Sequence, residues 1–207
     1  MTVSPPKLAR FSPVQMTGIT LMVGAVIAGA ALFVAGHRPV VPERTVAVSP
    51  AQFPHLGHGR QVIAVYEDVN CPHCREFQRL HMTRLMAAAE ANQITLVNVE
   101  FPFLKDSSVV AAKMFRCTWK YAPEKYYPLR NLLYGKMEQE GPLLGDYVFV
   151  LGKKFRAVDG CAKGAEGAAL LKIDQDLSAR VGVHSTPFVS LNGSPYRGKY
   201  AELMPQR

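Results

Sequence analysis

The chain has 207 residues, 48% of them hydrophobic and 19% charged, with 24 Lys+Arg against 16 Asp+Glu. That length suits one domain of ordinary size with an appendage, and the composition excludes a disordered, collagenous or low-complexity chain. The net charge of +8 is dispersed, with no Lys/Arg run longer than Lys153-Lys154, so it reads as a solvated basic surface and no nucleic-acid partner is expected.

Residues 17–36 (TGITLMVGAVIAGAALFVAG) carry no charge and are just long enough to cross a bilayer as a helix. Lys7 and Arg10 precede them, so residues 1–16 are expected in the cytoplasm and the remainder outside it. The length favours an uncleaved anchor. The rival is a cleaved signal sequence, with Ala28, Ala30 and Ala35 offering small residues for cleavage. Residues 37–59 are Pro-rich and read as a semi-extended linker, with residues 45–48 as a candidate edge strand. His55 and His58 lie here without a carboxylate or Cys beside them, and no metal site is expected.

A folded domain is expected over residues 60–207. Gln61 to Tyr66 (QVIAVY) is a short apolar run rich in β-branched residues, which predicts a buried strand. Pro72 then suits the first turn of a helix, and Phe77, Leu80, Leu85 and Ala88 fall roughly on one side of it. Ile94 to Phe101 predicts a second strand. About eighty helical residues follow. Val110, Met114 and Cys117 share one helix face; Pro128 opens a second helix with Leu129, Leu132, Leu133 and Met137 as its stripe. Residues 143–151 predict a third, and Leu170, Ile173, Leu177 and Val181 mark a fourth ending near Gly182. Residues 186–191 predict a strand, Asn192-Gly193 a hairpin turn, residues 196–199 its return, and residues 201–204 the start of a last helix.

Cys71 and Cys74 form a CxxC motif between the first strand and its helix. A structural zinc site would need a second knuckle or a His pair, which does not appear at ligand spacing. Covalent haem would need His at position 75, where Arg75 stands. An inert disulfide closing so small a loop would stabilise little. A redox dithiol fits best. A helix N-terminus favours the thiolate at Cys71, and Cys74, one turn on, can attack a mixed disulfide formed there. His73, when protonated, adds positive charge beside Cys71, and stabilising the thiolate makes the disulfide the stronger oxidant.

The tetrapeptide Cys71-Pro72-His73-Cys74, with Asp68 before it and Thr186-Pro187-Phe188 far downstream, resembles the DsbA-like thiol–disulfide oxidoreductases of the thioredoxin superfamily. The resemblance covers about residues 60–200. It implies an α/β thioredoxin-like fold with a helical insertion at about 104–181. It also implies that Cys71 is the exposed nucleophile and Cys74 the resolving cysteine, with Pro72 and His73 between them. Pro187 would be the cis-proline beside them, and Thr186 would offer its backbone to a substrate peptide. Some relatives carry a second cysteine pair in the insertion, so Cys117 and Cys161 are expected as a structural disulfide. Many relatives place an acid six residues before the first cysteine; here that position is Val65, and Glu67 and Asp68 stand nearer the motif. His184 lies near the Thr-Pro step but is left outside the catalytic set.

The expected function is therefore an enzyme outside the cytoplasm. It would sit in a bacterial inner membrane facing the periplasm, or in the periplasm itself if residues 17–36 are removed. It would exchange disulfides with exported proteins, most simply as an oxidase, with no cofactor beyond its own dithiol. A membrane or extracytoplasmic redox partner would recycle it. The alternatives are a reductase or isomerase, or a thioredoxin-fold assembly factor with little turnover.

Overall fold

The computed structural model describes residues 45–136 and 144–203. The segments 1–16 and 17–36, the first part of the linker, Met137 and the C-terminal residues 204–207 lie outside the described residues. Among the described residues no helix is long and apolar enough to cross a membrane.

Five strands form one mixed sheet: β1 (His55–Leu56), β2 (Gln61–Glu67), β3 (Ile94–Glu100), β4 (Phe188–Leu191) and β5 (Ser194–Pro195), in the order β1-β3-β2-β4-β5. β2 runs parallel to β3, with Glu67 beside Glu100, and antiparallel to β4, with Val65 beside Val189. Side chains alternate across a strand, so each strand feeds two layers. Ile63, Val65, Ile94, Leu96 and Val189 pack against Phe77, Met82, Leu85 and Ala89 on one face. Ala64, Tyr66, Val97 and Val99 pack against Leu177 and Val181 on the other. Both faces are covered, which is why these strands read as continuous apolar runs. Each fully buried Ile, Leu, Val or Phe among them contributes about 1.5–3 kcal/mol over exposure.

The helix after β2 is one continuous helical run over residues 72–90. It comprises α1 (Pro72–Phe77), a π-helical turn (Gln78–Met82) and α2 (Thr83–Glu90). The insertion holds α3 (Asp106–Tyr121), α4 (Tyr126–Lys136), α5 (Leu144–Leu151), α6 (Phe155–Lys163) and α7 (Ala165–Val181). α7 ends at Gly182, whose φ of 80° is the left-handed cap that the sequence announces. A third apolar cluster joins this insertion to the residues just beyond β2. It contains Val69, Cys71 and Cys74 together with Phe115, Cys117, Leu129, Leu133, Val158 and Cys161.

Five expectations change. The linker does not remain a spacer up to residue 59, because residues 45–59 belong to the packed unit. Val46 and Phe53 are buried, the Val46 N–H donates to Gly193 O at 3.0 Å, and the Arg116 guanidinium donates to Gln52 O at 2.8 Å. Residues 45–48 form no strand; His55–Leu56 instead pairs antiparallel with β3. The hairpin return is Ser194–Pro195 rather than residues 196–199, since the two-residue turn at Asn192 and Gly193 closes the ladder at once. A Cβ on Gly193 would stand 2.0 Å from Val46 O, so glycine there also admits the incoming chain. β4 begins at Phe188, after the Thr186-Pro187 step, and the expected last helix is a single 3-10 turn, Tyr200–Glu202.

Candidate active site: a dithiol beside a buried carboxylate

β2 delivers its chain end to a tight turn that sets up the first cysteine. Asp68 organises this turn. Its Oδ1 accepts the Asn70 N–H at 2.8 Å, and its Oδ2 accepts the N–H groups of Phe103 and Leu104 at 2.9 and 3.0 Å. The loop after β3 is thereby tied to the motif, and Asp68 serves as a structural anchor. The Cys71 N–H donates to Asp68 O at 2.9 Å, which leaves Cys71 in extended backbone as the N-cap of α1, with Pro72 in the first turn. The N–H groups of Cys74 and Arg75 donate back to Cys71 O at 3.1 and 3.2 Å. The two cysteines thus sit one turn apart, both with free thiols.

Cys71 is less open than the resemblance implies. It is 5% exposed, because the loop carrying Thr186 lies over it and its Sγ donates to Thr186 O at 3.4 Å. The Thr186–Pro187 peptide bond is cis. Pro72 and His73 are exposed. His73 also lines a groove of 310 Å³ with Phe77, Leu80, His81, Pro187 and Tyr200, which opens beside the Thr-Pro loop. The Tyr200 hydroxyl donates to Pro187 O at 3.3 Å and packs edge-on to Phe77, so the chain's last described turn braces this loop. His184 is exposed.

Cys74 is fully buried. Burial pushes its thiol pKa far above the ordinary value, and the Glu67 carboxylate pushes it further; Thr186 and the backbone near Asp68 pull weakly the other way. The acid whose charge bears on Cys74 is Glu67, and position 65 is a valine. Val65 lies in the apolar layer under α1, whereas Glu67, two residues on along the same strand, reaches the dithiol. Glu67 Oε2 accepts Gln78 Nε2 at 2.8 Å and Arg130 Nη2 at 2.5 Å. Its other oxygen, Oε1, is buried and accepts no hydrogen bond among the described residues. Burial raises the Glu67 pKa from 4.5 to about 7, with Arg130 opposing and Glu100 assisting.

Arg130 stands in α4 outside the stripe Leu129, Leu132, Leu133 and Met137, and the sequence reading does not single it out. It is buried, and its Nη1 donates to Glu100 Oε1 at 2.6 Å. Its guanidinium lies 5.0, 5.6 and 5.0 Å from the ring centroids of Phe115, Tyr126 and Tyr134. The available signal was the spacing Tyr126, Arg130, Tyr134, which repeats every four residues on the stripe side of α4. A cation beside an apolar stripe implies buried anions to meet it. A second buried pair, Arg116 Nε to Asp174 Oδ2 at 3.0 Å, ties α3 to α7. Farther off, Cys117 on α3 and Cys161 on α6 form a disulfide with a Cα–Cα distance of 5.9 Å.

The site is a helix-capping dithiol with a buried acid behind it, on a thioredoxin-like sheet with an all-helical insertion. The family model described as thioredoxin matches residues 57–203. Among solved structures, BdbD from Bacillus subtilis superposes with a TM-score of 0.66 at 18% identity, over 76% of this chain and 90% of that one. The catalytic domain of Proteus mirabilis ScsC does so at 0.59 and 21%, over 74% and 85%. DsbG from Mycobacterium tuberculosis, described as a disulfide bond oxidoreductase, does so at 0.59 and 20%, over 73% and 83%. Among curated proteins, no sequence matches this chain. The chain belongs to the thioredoxin family, and it shares its fold with these three structures.

Proposed function

We propose that this protein is an extracytoplasmic thiol–disulfide oxidoreductase that oxidises exported proteins through Cys71 and Cys74. The observation that carries the reading is the position of Cys71: it caps the helical run with no side chain competing for the first N–H groups, while Cys74 waits one turn behind beside Glu67. In the oxidised enzyme a substrate thiolate attacks Cys71 Sγ. The Cys71–Cys74 bond breaks, and Cys74 leaves as a thiolate that takes its proton from the Glu67 carboxyl. A second substrate thiolate then attacks the substrate sulfur of the mixed disulfide. Cys71 leaves with the electron pair, held by the helix start and by His73 when protonated. The substrate gains a disulfide and the enzyme retains the dithiol.

Recycling runs the other way. Cys71 attacks the disulfide of a membrane or extracytoplasmic partner and releases one of its sulfurs as a thiolate; Glu67 accepts the Cys74 proton, and Cys74 attacks Cys71 Sγ, forming the enzyme disulfide and releasing the partner's second sulfur as a thiolate. The disulfide itself is the only redox group this requires. Thr186 and Pro187 form the substrate-side lip, and a substrate chain enters the groove they share with His73 and Tyr200. With residues 17–36 as an anchor the dithiol faces the periplasm from the inner membrane; if that segment is removed the protein is periplasmic.

Equilibration with glutathione at neutral pH tests the direction. A potential well above thioredoxin's is expected, lowered by about 30 mV in His73→Gln, which is equivalent to about 1.4 kcal/mol for two electrons. A potential as low as thioredoxin's would make the protein a reductase. A failure to exchange at all would leave a fold-only assembly factor.

A further inference from the structure

We propose that Arg130 is a positioning residue for the dithiol, which holds Glu67 as the ionised proton acceptor of Cys74 while Glu100 holds Arg130. This rests on the reading above in which Cys74 resolves the mixed disulfide at Cys71. The starting point is register. Glu67 and Glu100 are partners on adjacent parallel strands, and both are buried. Two carboxylates so placed cannot both ionise without a cation between them. Arg130 is that cation, brought from α4, with one Nη on each carboxylate.

A guanidinium has no neutral form to retreat to, so once buried it must be held. Phe115, Tyr126 and Tyr134 surround it, and Tyr126 also donates to Glu100 Oε1 at 3.4 Å. Glu100 therefore retains Arg130 when Glu67 takes a proton. The free Oε1 of Glu67 is the oxygen left to receive it. The groups facing this centre are Cys74 from α1, Gln78 from the π turn, Glu100 from β3, and Tyr126 and Tyr134 from α4. Arg116 from α3, Asp68 from the motif turn and Tyr147 from α5 act on it through Glu100.

The two partners of Glu67 act with opposite sign. Arg130 favours its ionised form and Glu100 disfavours it. Removing each should move the pH dependence of one chemical step in opposite directions. In that step the Cys74 S–H bond breaks and the proton passes to Glu67. The Cys74 electron pair forms the bond to Cys71 Sγ, and the Cys71–glutathione bond breaks, releasing glutathione as a thiolate that protonates in water.

The experiment loads Cys71 of the full chain with glutathione and follows glutathione release by stopped flow from pH 5 to 9. In Arg130→Met the midpoint should rise, and release at pH 7 should slow about tenfold for each pH unit of that rise. In Glu100→Gln the midpoint should fall, and Arg130→Lys should return it toward that of the unaltered protein. A role in packing alone would lower the unfolding midpoint without moving the two profiles apart. Unchanged midpoints, or shifts of the same sign in Arg130→Met and Glu100→Gln, overturn the proposal. If Arg130→Met does not fold, Glu100→Gln and Arg130→Lys decide it: an unmoved Glu100→Gln profile refutes it. Failure of the underlying reading looks different, because the unaltered protein would then release no glutathione, or Glu67→Gln would release it with an unaltered profile.

Discussion

Two cysteine pairs share one apolar cluster in this molecule and have different chemistry. Cys74 and Cys117 are equally inaccessible, and all four cysteines belong to the same packed set. Cys71 and Cys74 stand at the start of a helical run, three residues apart, with free thiols. Cys117 and Cys161 lie inside α3 and α6 and are bonded across 44 residues. Burial therefore does not decide what a cysteine does. The first pair has a helix start, a loop carbonyl and a carboxylate trained on it, whereas the second closes a long chain loop. Closing a small loop removes little entropy from the unfolded chain and so stabilises little, whereas closing a long one removes more and stabilises more.

The sharpest way to break this contrast is to delete within the first pair. Cys71→Ser should abolish exchange with reduced, unfolded protein. Cys74→Ser should accumulate mixed disulfides through Cys71, visible on non-reducing gels. Adducts from Cys71→Ser and none from Cys74→Ser would reverse the two roles.

Replacing the second pair, as Cys117→Ala with Cys161→Ala, should act on stability instead. In the chain-entropy picture, opening a loop of this length costs about 4 kcal/mol, to be read from urea unfolding. Exchange at Cys71 should continue at its original rate wherever the variant is folded. Slower exchange in a folded variant would show that the second pair takes part in electron transfer.

A smaller effect separates the carboxylate beside the first pair from ordinary surface acids. Because the Glu67 pKa rises from 4.5 to about 7, the folded state favours its protonated form. The cost of burying the charge is absent below pH 4.5, grows as the pH rises, and is complete above about pH 7. Over that window it amounts to about 3 kcal/mol. Unfolding free energies of the unaltered protein and Glu67→Gln should therefore diverge by that amount between pH 4.5 and 8, in favour of the variant. A pH-independent difference would show that Glu67 does not titrate in this range. The exposed Lys120–Glu166 pair, by contrast, should leave stability nearly unchanged when either partner is replaced.

Much of the architecture follows from local pattern. The β-branched run before Cys71 becomes β2, and the repeat Leu170, Ile173, Leu177, Val181 becomes α7. Asn192-Gly193 makes its turn because both residues adopt positive φ. The helix after Pro72 was legible too, but its π turn was not. That turn carries Gln78, which donates to Glu67, and nothing in the spacing of apolar residues marks it. The same holds for residues 45–59: prolines spaced too densely for a helix say nothing about whether the segment packs, and Val46 and Phe53 pack it.

By itself the amino-acid sequence determined what is covalent or local. It set the spacing of Cys71 and Cys74, the proline that starts their helix, the Thr186-Pro187 step, and the continuous apolar runs that bury both faces of the sheet. These depend on residues within a turn or a strand of one another, where backbone sterics and periodicity act directly. Only the tertiary structure decided which acid lies behind the dithiol, and how far the loop at Thr186 covers Cys71. It also decided that Arg130, sixty-three residues from Glu67, is its partner. The physical reason is that a buried charge is set by what surrounds it in space. Glu67 and Glu100 look like two strand-end acids until parallel pairing puts them side by side, and Arg130 looks like an accident beside a stripe until α4 folds it against both.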